Sequence, residues 1–425
     1  MTSRSSLLVD IGSTYVKVAV LRSDENIDAE TKFQFPPFLS LAGPYRTVDP
    51  AVVLDVVEGA IASVLPEADN PDRILLSGQM HGWTLTDRHN EPQLPLATFG
   101  DNRALRPDNG TSRLDELRNA LPSQTWLATG NELRSGLPVA GIYATDLSAF
   151  DGPLRVHSLL SWVAASLTGK PAFVQHTTDA AASGMFDLHA GSWCEQATTL
   201  VGGNARLELP RVSSTPEVVG KHRTSGATVF TPIGDQQAAL LGAGLRHGVT
   251  AFNISTGGQV ARLAETHAED RCQTRPYFDG LLLHTVTHLP AGRALTHGVE
   301  LLSRLQGDDA WAWAMQAAAE PVNHSLPQAH PTFHDQNGGG WSGITDAHTA
   351  EDLLRALVSA IAAPYVDSAP NVGFSPTDQL LFCGGVAQRF TPLPTAIQSA
   401  LDRPATVAPD GDMALRGLAV VANRL

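Results

Sequence analysis

Residues 231–259 read TPIGDQQAALLGAGLRHGVTAFNISTGGQ, and this stretch decides the fold. Its first four residues form a turn, and Gln236 to Gly244 is rich in Ala and Leu, which predicts a short helix. Val249 to Ser255 is apolar and β-branched, which predicts a strand. The strand ends in Thr256 to Gly258, a tight turn that glycine tolerates freely. Helix, strand and glycine turn in this order are typical of an α/β protein.

Asp235 lies between the first turn and the predicted helix. A carboxylate at this place accepts hydrogen bonds from the free N–H groups of the first helical turn, so the residue taken alone is interpreted as an ordinary helix cap. The alternative is a catalytic carboxylate beside a glycine turn whose backbone N–H groups bind phosphate. The N-terminus of the chain favours this second interpretation.

A stretch of the same design begins the chain. Leu7 to Leu21 reads LLVDIGSTYVKVAVL, in which an apolar strand ends in Asp10, a turn of small residues follows, and a second strand alternates. Thr250 to Leu263, TAFNISTGGQVARL, has the same layout. Two such hairpins about half a chain apart predict duplicated domains, each with a turn that can hold phosphate oxygens. We expect the domains to span residues 1–246 and 247–425.

Length, charge and cysteine content narrow the class of protein. The 425 residues suffice for two domains, and the net charge of −14 argues against nucleic acid or an anionic membrane as a general partner. An acidic protein still binds ATP, because backbone N–H groups, helix N-termini and Mg²⁺ offset the phosphate charge. Three distant cysteines without metal-ligand spacing indicate reduced thiols. No signal peptide or bilayer-spanning segment is visible, so we expect a cytoplasmic protein.

Two further groups of polar residues suggest a ligand site. The apolar strand Arg73 to Ser77 ends in GQMHG, and a histidine at the end of such a strand lies where open α/β sheets bind ligands. A single histidine is usually structural, but here we interpret His81 as a substrate contact. Asp101 and Arg103 form either an ordinary surface pair or a carboxylate and guanidinium that bind sugar hydroxyls.

A third glycine turn, CGGVAQR from Cys383 to Arg389, follows a predicted strand in the second half. Three such turns spread over both halves suggest one nucleotide clamped between two domains. GxGxxG occurs only from Gly338 to Gly343, inside the predicted loop FHDQNGGGWSG and not directly after a predicted strand, and GxxxxGK[ST] does not occur, so Rossmann and P-loop binding do not fit.

Together these residues resemble the FGGY carbohydrate kinase family over nearly the whole chain. DIGSTYVK resembles its first phosphate motif, SGQMHG the sugar motif of xylulokinases and sedoheptulokinases, and GDQQAALLGAG the motif with the catalytic aspartate. STGG resembles the second phosphate motif and CGGVAQR the adenosine motif. QTRPYFDG at 273–280 and PTFH at 331–334 are more similar to sedoheptulokinases than to typical xylulokinases.

The resemblance implies an α/β fold of duplicated actin-like ATPase domains, ribonuclease H-like, with a cleft between them. The N-terminal domain would bind the sugar and carry the catalytic group, and the C-terminal domain would bind the nucleotide. The family usually has Trp-(Gln/Asn)-Asp-x-Arg where this chain has Phe99 to Arg103, FGDNR. The implied activity is transfer of the γ-phosphoryl group of ATP to a terminal hydroxyl of a ketose, with sedoheptulose ahead of xylulose.

The resemblance also assigns roles to residues. Asp235 would take the proton from the sugar hydroxyl, and Asp10 would hold Mg²⁺ near the phosphates. No cationic cluster is expected beside the sugar, and a homodimer is compatible with the sequence. The residues expected to contact the sugar are Gln79, Met80, His81, Asp101, Arg103 and Gln236. The residues expected to contact ATP are Gly12, Ser13, Thr14, Lys17, Thr256, Gly257, Gly258, Gly384, Gly385, Val386 and Ala387.

Three alternatives stay open at this point. One is a kinase of the same family for xylulose or another ketose or polyol. The second is an actin-like ATPase whose output is motion or partner binding, although the pair SGQMHG and GDQQAALLGAG has no role there. The third is a sugar sensor without turnover, against which the retained Asp10 and Asp235 argue.

Overall fold

The computed structural model describes residues 5–40, 42–108, 110–169, 171–203, 206–304, 309–322, 324–333 and 338–425. The first four residues of the chain, and the histidine that ends PTFH, lie outside these ranges. The chain forms two compact units. The first comprises Met1–Gly242, Arg275–Leu281 and Gly411–Leu425, and the second comprises Ala243–Thr274 and Leu282–Asp410. This division differs from a single boundary after residue 246, because two later segments pack with the first unit.

A seven-stranded sheet organises the first unit. Its order is β5-β6-β4-β1-β2-β3, and β7 also pairs with β4. β1 and β2 form the predicted antiparallel hairpin, whereas β1 and β7 both run parallel to β4. The carboxyl ends of these parallel strands therefore meet at one edge. In chain order the strands are β1 (Ser6–Ile11), β2 (Tyr15–Leu21), β3 (Ile27–Gln34), β4 (Arg73–Gly78), β5 (Val218–Lys221), β6 (Thr228–Phe230) and β7 (Ile233–Gly234).

A six-stranded sheet organises the second unit in a similar way. Its order is β10-β11-β9-β8-β12-β13. β8 and β9 form the second predicted hairpin, and β8 runs parallel to β12 as β1 does to β4. The repeated arrangement of hairpin and parallel neighbour agrees with the predicted duplication. The strands are β8 (Val249–Ile254), β9 (Gly258–Ala264), β10 (Gln273–Pro276), β11 (Leu282–Leu289), β12 (Gln379–Cys383) and β13 (Ala405–Val407).

Helices and smaller sheets surround the two main sheets. The smaller sheets join Thr47–Val48, Trp83–Thr86, Leu96–Ala97, Leu154–Ser158 and Leu207–Glu208, and pair Pro107–Asp108 with Thr111–Ser112, Val174–His176 with Arg211–Ser213, Phe186–Asp187 with Ser192–Trp193, and Gln328–His330 with Gly340–Ser342. The helices are α1 (Pro50–Ala68), α2 (Arg113–Ala120), α3 (Ser123–Ala128), α4 (Pro138–Tyr143), α5 (Leu159–Ser166), α6 (Thr177–Ala181), α7 (Glu195–Gly202), α8 (Asp235–Gly242), α9 (Gly292–Ser303), α10 (Ala310–Ala319), α11 (Ala350–Ser368), α12 (Gly385–Arg389), α13 (Pro392–Leu401) and α14 (Met413–Asn423).

Two glycines let α14 pack against α8. A Cβ atom on Gly242 would lie 2.0 Å from the carbonyl oxygen of Met413, and one on Gly417 would lie 1.9 Å from that of Ala238. No side chain fits at such distances, so the two backbones approach each other directly. This contact fixes the position of α8, which begins at Asp235.

Local sequence explains other elements. Asp49 caps α1 by accepting from the N–H of Ala51, and Pro50 occupies the first helical position. Thr349 and Asp352 form a capping box at the start of α11. Among the helices that the structure describes, none combines the length and apolar character needed to cross a membrane.

Candidate active site

Asp10 lies at the end of β1, between β2 and β4. Ser77 on β4 donates its hydroxyl to Asp10 Oδ1 at 2.9 Å. The ammonium group of Lys17 on β2 lies 3.4 Å from Asp10 Oδ2 and 2.5 Å from Asp412 Oδ2. Asp412 also caps α14 by accepting from the N–H of Leu415. Lys17 therefore links the predicted metal-binding carboxylate to the helix that packs on α8.

Burial sets the charge properties of this group. Asp10 is 4% exposed, and its burial raises the pKa of the carboxyl group, against the lowering effect of Lys17. Although burial alone would lower the pKa of Lys17, the charges of Asp10 and Asp412 raise it. Lys17 is thus a permanent cation held between two carboxylates, which is a suitable position for contacting a polyphosphate.

The turn after β1 leaves small residues accessible. The N–H of Gly12 donates to the carbonyl oxygen of Tyr15 at 3.0 Å, and this bond closes the turn. Ser13 and Thr14 are exposed. Gln79 is buried beside the turn, with its amide nitrogen 3.4 Å from the carbonyl oxygen of Gly12. Its Oε1 has no hydrogen-bond partner among the described residues, which is unusual for a buried polar atom.

Asp235 is the first residue of α8 and is partly buried. Its Oδ1 accepts from the N–H of Gln236 at 2.8 Å, so it also serves as a helix-terminal carboxylate. Burial, followed by the negative charge of Asp10, raises its pKa to about 7. A carboxylate with this pKa can accept a proton near neutral pH, as a general base must.

Strand pairing brings the SGQMHG motif next to Asp235. Gly234 pairs with Gly78 at the ends of β7 and β4. A Cβ atom on Gly234 would lie 2.9 Å from the sulfur of Met80, so glycine is required for this close approach. The structure therefore brings Met80 and His81 to the strand edge where α8 begins.

His81 is buried and has a backbone φ of 70°. Its Nδ1 lies 2.8 Å from the carbonyl oxygen of Ala182, and because a carbonyl only accepts, Nδ1 carries the proton. Burial, followed by the positive charge of Arg134, lowers the pKa of His81 to about 3. The ring is therefore neutral at physiological pH, and its Nε2 is a hydrogen-bond acceptor.

A cluster of charges adjoins these residues. Arg275 donates to Gln236 Oε1 at 2.6 Å and to Glu132 Oε2 at 3.0 Å, and it lies 4.0 Å from the sulfur of Met80. Arg134 donates to Glu132 Oε1 at 2.8 Å. Although burial opposes the shift, the positive charges of Arg275 and Arg134 hold the pKa of Glu132 well below its usual range. The expectation of no cationic cluster beside the sugar residues was wrong, but both arginines are paired with Glu132.

Asp101 and Arg103 form a buried ion pair, which differs from the surface pair considered as one interpretation. Arg103 donates to both oxygens of Asp101, at 2.8 and 3.2 Å, and the N–H of Arg46 donates to Oδ2 at 3.1 Å. Arg103 also donates to Thr145 and lies over the rings of Tyr45 and Trp83. These contacts give the pair a structural role, and contact with a sugar stays a prediction.

The second unit contains a pocket of about 780 Å³. Its wall includes Thr256 at the β8–β9 turn and the start of α12 at Gly385. The rings of Trp311 and Phe390 meet edge to face with 6.1 Å between their centroids and form an apolar side. The described lining comprises Ser255, Thr256, Gly292, Arg293, Thr296, His297, Glu300, Trp311, Met315, Gly385, Val386, Arg389 and Phe390.

The predicted nucleotide residues of the second unit fall into two sets. Thr256, Gly385 and Val386 line the pocket. Gly257, Gly258, Gly384 and Ala387 do not belong to its described lining, and two of these glycines instead allow close packing. A Cβ atom on Gly258 would lie 1.8 Å from the hydroxyl oxygen of Tyr365, and one on Gly384, where φ is 94°, would lie 2.5 Å from the carbonyl oxygen of Ile254.

The residues around Asp10 fit a magnesium ion that binds together with the phosphates of a nucleotide. No group of three or more His, Cys, Asp or Glu side chains that could hold a metal occurs in the described ranges. Mg²⁺ is usually held by one or two carboxylates, with phosphates and water completing its shell. The buried Asp10 carboxylate and the unpartnered amide oxygen of Gln79 are donors of this type.

Several residues of the site escaped the sequence-based prediction. Glu132 and Asp412 gave no local signal, because each contacts a partner distant in sequence, and Arg134 is drawn in only through its neighbour Glu132. Ser77 was known only as the first residue of SGQMHG, and its bond to Asp10 joins residues 67 positions apart. Arg275 lies within QTRPYFDG, a stretch noticed only for its resemblance. The aromatic wall residues of the second unit lie on α10 and just after α12, away from the glycine turns that predicted the nucleotide site.

The comparisons with known proteins identify the class. The sequence profile of the N-terminal domain of the FGGY family of carbohydrate kinases matches residues 6–242. The chain therefore belongs to the FGGY family of carbohydrate kinases, and the family membership predicted from sequence is confirmed.

Individual relatives agree with this assignment. The chain is 25% identical over 328 residues to apulose kinase of Pectobacterium atrosepticum, covering 69% of this chain and 63% of that protein. It is 27% identical over 252 residues to xylulose kinase of Streptomyces rubiginosus, covering 55% of this chain and 49% of that protein. The aligned region thus spans less than two thirds of either relative.

A solved structure confirms the fold. Xylulose kinase from Rhodospirillum rubrum superposes with a TM-score of 0.85 at 22% identity, covering 99% of this chain and 89% of that one. The predicted α/β fold of duplicated actin-like ATPase domains is confirmed. The closer resemblance to sedoheptulokinases stays a prediction.

Proposed function

We propose that this protein is an ATP-dependent ketose kinase in which Asp235 is the general base. The observation that carries the proposal is the position of Asp235, a partly buried carboxylate with a pKa of about 7 beside the SGQMHG motif. The retained Asp10–Lys17 pair and the family membership support it.

The reaction needs one proton acceptor on the protein. Asp235 removes the proton from a terminal hydroxyl of the sugar, whose oxygen attacks the γ-phosphorus. The new O–P bond forms as the bond between the γ-phosphorus and the β-γ bridging oxygen breaks, and ADP leaves. Mg²⁺, when bound with the nucleotide, neutralises charge on the phosphate oxygens.

Three polar side chains and one apolar side chain suit the rest of the sugar. The neutral ring of His81 offers Nε2 as an acceptor, so it selects a sugar hydroxyl that donates. Gln236 is the neighbour of Asp235 on α8, and its amide is oriented by Arg275. Met80 supplies an apolar surface for the carbon chain, and Gln79 supplies an amide next to the phosphate turn.

Each unit has a region that suits part of a nucleotide. Lys17 and the exposed Ser13 and Thr14 suit phosphate oxygens. In the second unit, Thr256 suits a phosphate, while Trp311 and Val386 suit the adenine ring. Gly258 and Gly384 allow close packing beside the turns of the second unit.

The choice of sedoheptulose depends on the resemblance of QTRPYFDG and PTFH to sedoheptulokinases. Arg275 of the first motif contacts Gln236 and lies near Met80, which is consistent with a role of this motif in sugar selection. Two relatives are an apulose kinase and a xylulose kinase, which makes xylulose the first alternative.

A coupled ADP assay over a panel of acceptors tests the proposal. Sedoheptulose, its epimers, xylulose, ribulose, apulose, glycerol and gluconate are compared by kcat/KM, since sites that hydrogen-bond hydroxyls discriminate strongly. We expect sedoheptulose to exceed its wrong epimers by at least about a hundredfold. A higher kcat/KM for xylulose than for sedoheptulose would make xylulose the acceptor. ADP release that is independent of any acceptor would indicate an ATPase. The absence of ADP release would indicate a sensor.

A further inference from the structure

Arg275 connects three separate segments of the first unit. Its guanidinium group contacts Gln236 at the start of α8, Glu132 after α3, and the sulfur of Met80 after β4. Its side chain is 11% exposed, and that of Glu132 is 12% exposed. The neighbouring carbonyl oxygen of Pro276 accepts from the side-chain amide of the fully buried Gln237, which holds the segment against α8.

The geometry of this contact fixes the Gln236 side chain. A guanidinium group only donates, so the atom 2.6 Å from Arg275 is the amide oxygen, and the amide orientation follows. Because Gln236 follows Asp235 directly, a bond that holds Gln236 also restrains the first turn of α8.

The same contact holds Glu132. Removing one member of a buried ion pair leaves the other charge uncompensated, so such pairs are sensitive to substitution. Arg134, with a side chain 27% exposed, is the second partner of Glu132 and stays in place when Arg275 is changed. Met80, Gln236 and Glu132 thus depend on one planar, multiply donating group, which lysine does not reproduce.

We propose that Arg275 is a positioning residue that sets the affinity for the acceptor sugar by fixing Gln236, Glu132 and Met80 around it. This inference deepens the proposed function and rests on it. Arg275 acts through its neighbours, so its loss affects the sugar more than the nucleotide.

Arg275→Met is the principal test. We expect the KM for the preferred ketose to rise about tenfold to a hundredfold, the scale of a lost charged hydrogen bond, while the KM for ATP stays near wild type. Arg275→Lys keeps the charge without the planar group. Its KM for the ketose should lie between those of the wild type and Arg275→Met. Arg424→Met is the matched control, because it breaks an exposed ion pair with Asp279 on the same segment. This control should leave both KM values unchanged.

A double variant separates positioning from folding stability. Arg275→Met with Glu132→Gln removes both members of the pair, so we expect the melting temperature lost in Arg275→Met to be partly recovered. The raised KM for the ketose should persist, because the bond between Arg275 and Gln236 is still missing. Recovery of the ketose KM together with the melting temperature would reduce Arg275 to a structural role and overturn the inference.

Calorimetric titration of the ketose, without nucleotide, distinguishes failure of the inference from failure of the proposed function. A wild type that binds ketose without turnover contradicts the kinase reaction but keeps the inference if Arg275→Met binds it more weakly. An unchanged affinity in Arg275→Met overturns the inference while the kinase reaction stands. A wild type that neither binds nor phosphorylates any ketose overturns both.

Discussion

Two regions of the molecule are built from different chemical groups. One is the acceptor region of the first unit, which comprises Asp10, Asp235, Glu132, Arg275 and the SGQMHG motif, and the other is the pocket of the second unit. Asp10, Asp235, Glu132 and Arg275 place buried or partly buried charges in the first region. The pocket of the second unit combines a glycine turn with the apolar side chains Trp311, Met315 and Phe390.

Under the proposed function, this difference assigns proton transfer to the first region and binding of the nucleotide base to the second. Burial strengthens electrostatic effects, so the acceptor region can raise the pKa of Asp235 to about 7 and hold His81 neutral. The pocket of the second unit offers shape, backbone groups and ring surfaces instead. We therefore expect substitutions in the first region to change turnover or sugar use, and substitutions in the second to change nucleotide affinity.

The largest effect should come from Asp235→Asn. The amide cannot accept the hydroxyl proton, so kcat should fall by about two to four orders of magnitude with the fold retained. Asp179→Asn is the matched control, since burial also raises the pKa of Asp179 to about 7, and its partners Ser158 and Gln175 lie outside the proposed site. A variant at Asp235 that keeps more than about a tenth of wild-type kcat would remove it from the base role.

Asp10→Ala should come second. Loss of this carboxylate should lower kcat with Mg·ATP by roughly a hundredfold, the scale of one preorganised charge-stabilising group. Calorimetry without nucleotide should show a ketose affinity close to wild type, because the side chains bonded to Asp10 are those of Ser77 and Lys17, and neither is a predicted sugar contact. A large loss of ketose affinity would place Asp10 in the sugar pocket.

The pH profile should show a smaller effect. The raised pKa means that Asp235 binds a proton below about pH 7 and cannot then act as a base. For the free enzyme, kcat/KM for the ketose should fall about tenfold per unit as the pH decreases below that value, and should level off above it. The residual activity of Asp235→Asn should lack this inflection, and an inflection near the ordinary carboxyl pKa would contradict the assignment.

Trp311→Ala should have the smallest effect of the four. Trp311 is 44% exposed beside the pocket, and loss of one aromatic contact should raise the KM for ATP about fivefold without changing the KM for the ketose. Val407→Ala, at a side chain 51% exposed on β13 of the same unit, is the control. An unchanged KM for ATP would place the adenine ring elsewhere.

Local patterns were sufficient to predict the fold and to select several residues of the candidate site. Asp10, His81 and Asp235 each follow a strand or a turn that can be identified from neighbouring residues, and the structure places them at the ends of β1, β4 and β7. The two hairpins were predicted for the same reason, because strand, glycine and strand are adjacent in the chain.

The remaining residues depend on long-range pairing, which local patterns do not encode. Glu132 and Arg275 contact each other although 143 positions separate them in the sequence. Lys17 and Asp412 do so across 395 positions. Asp101 and Arg103 show the converse case. Their spacing predicted a pair correctly, but the sequence did not reveal that its oxygens would be engaged by the protein's own donors.

The most direct test of the account is a ³¹P NMR measurement of the purified protein with Mg·ATP and the preferred ketose. We predict that a phosphomonoester resonance of the sugar grows in proportion to ADP, and that Asp235→Asn produces neither at a comparable rate. Inorganic phosphate appearing in place of the sugar ester, at the same rate with and without ketose, would contradict the transfer to a sugar hydroxyl.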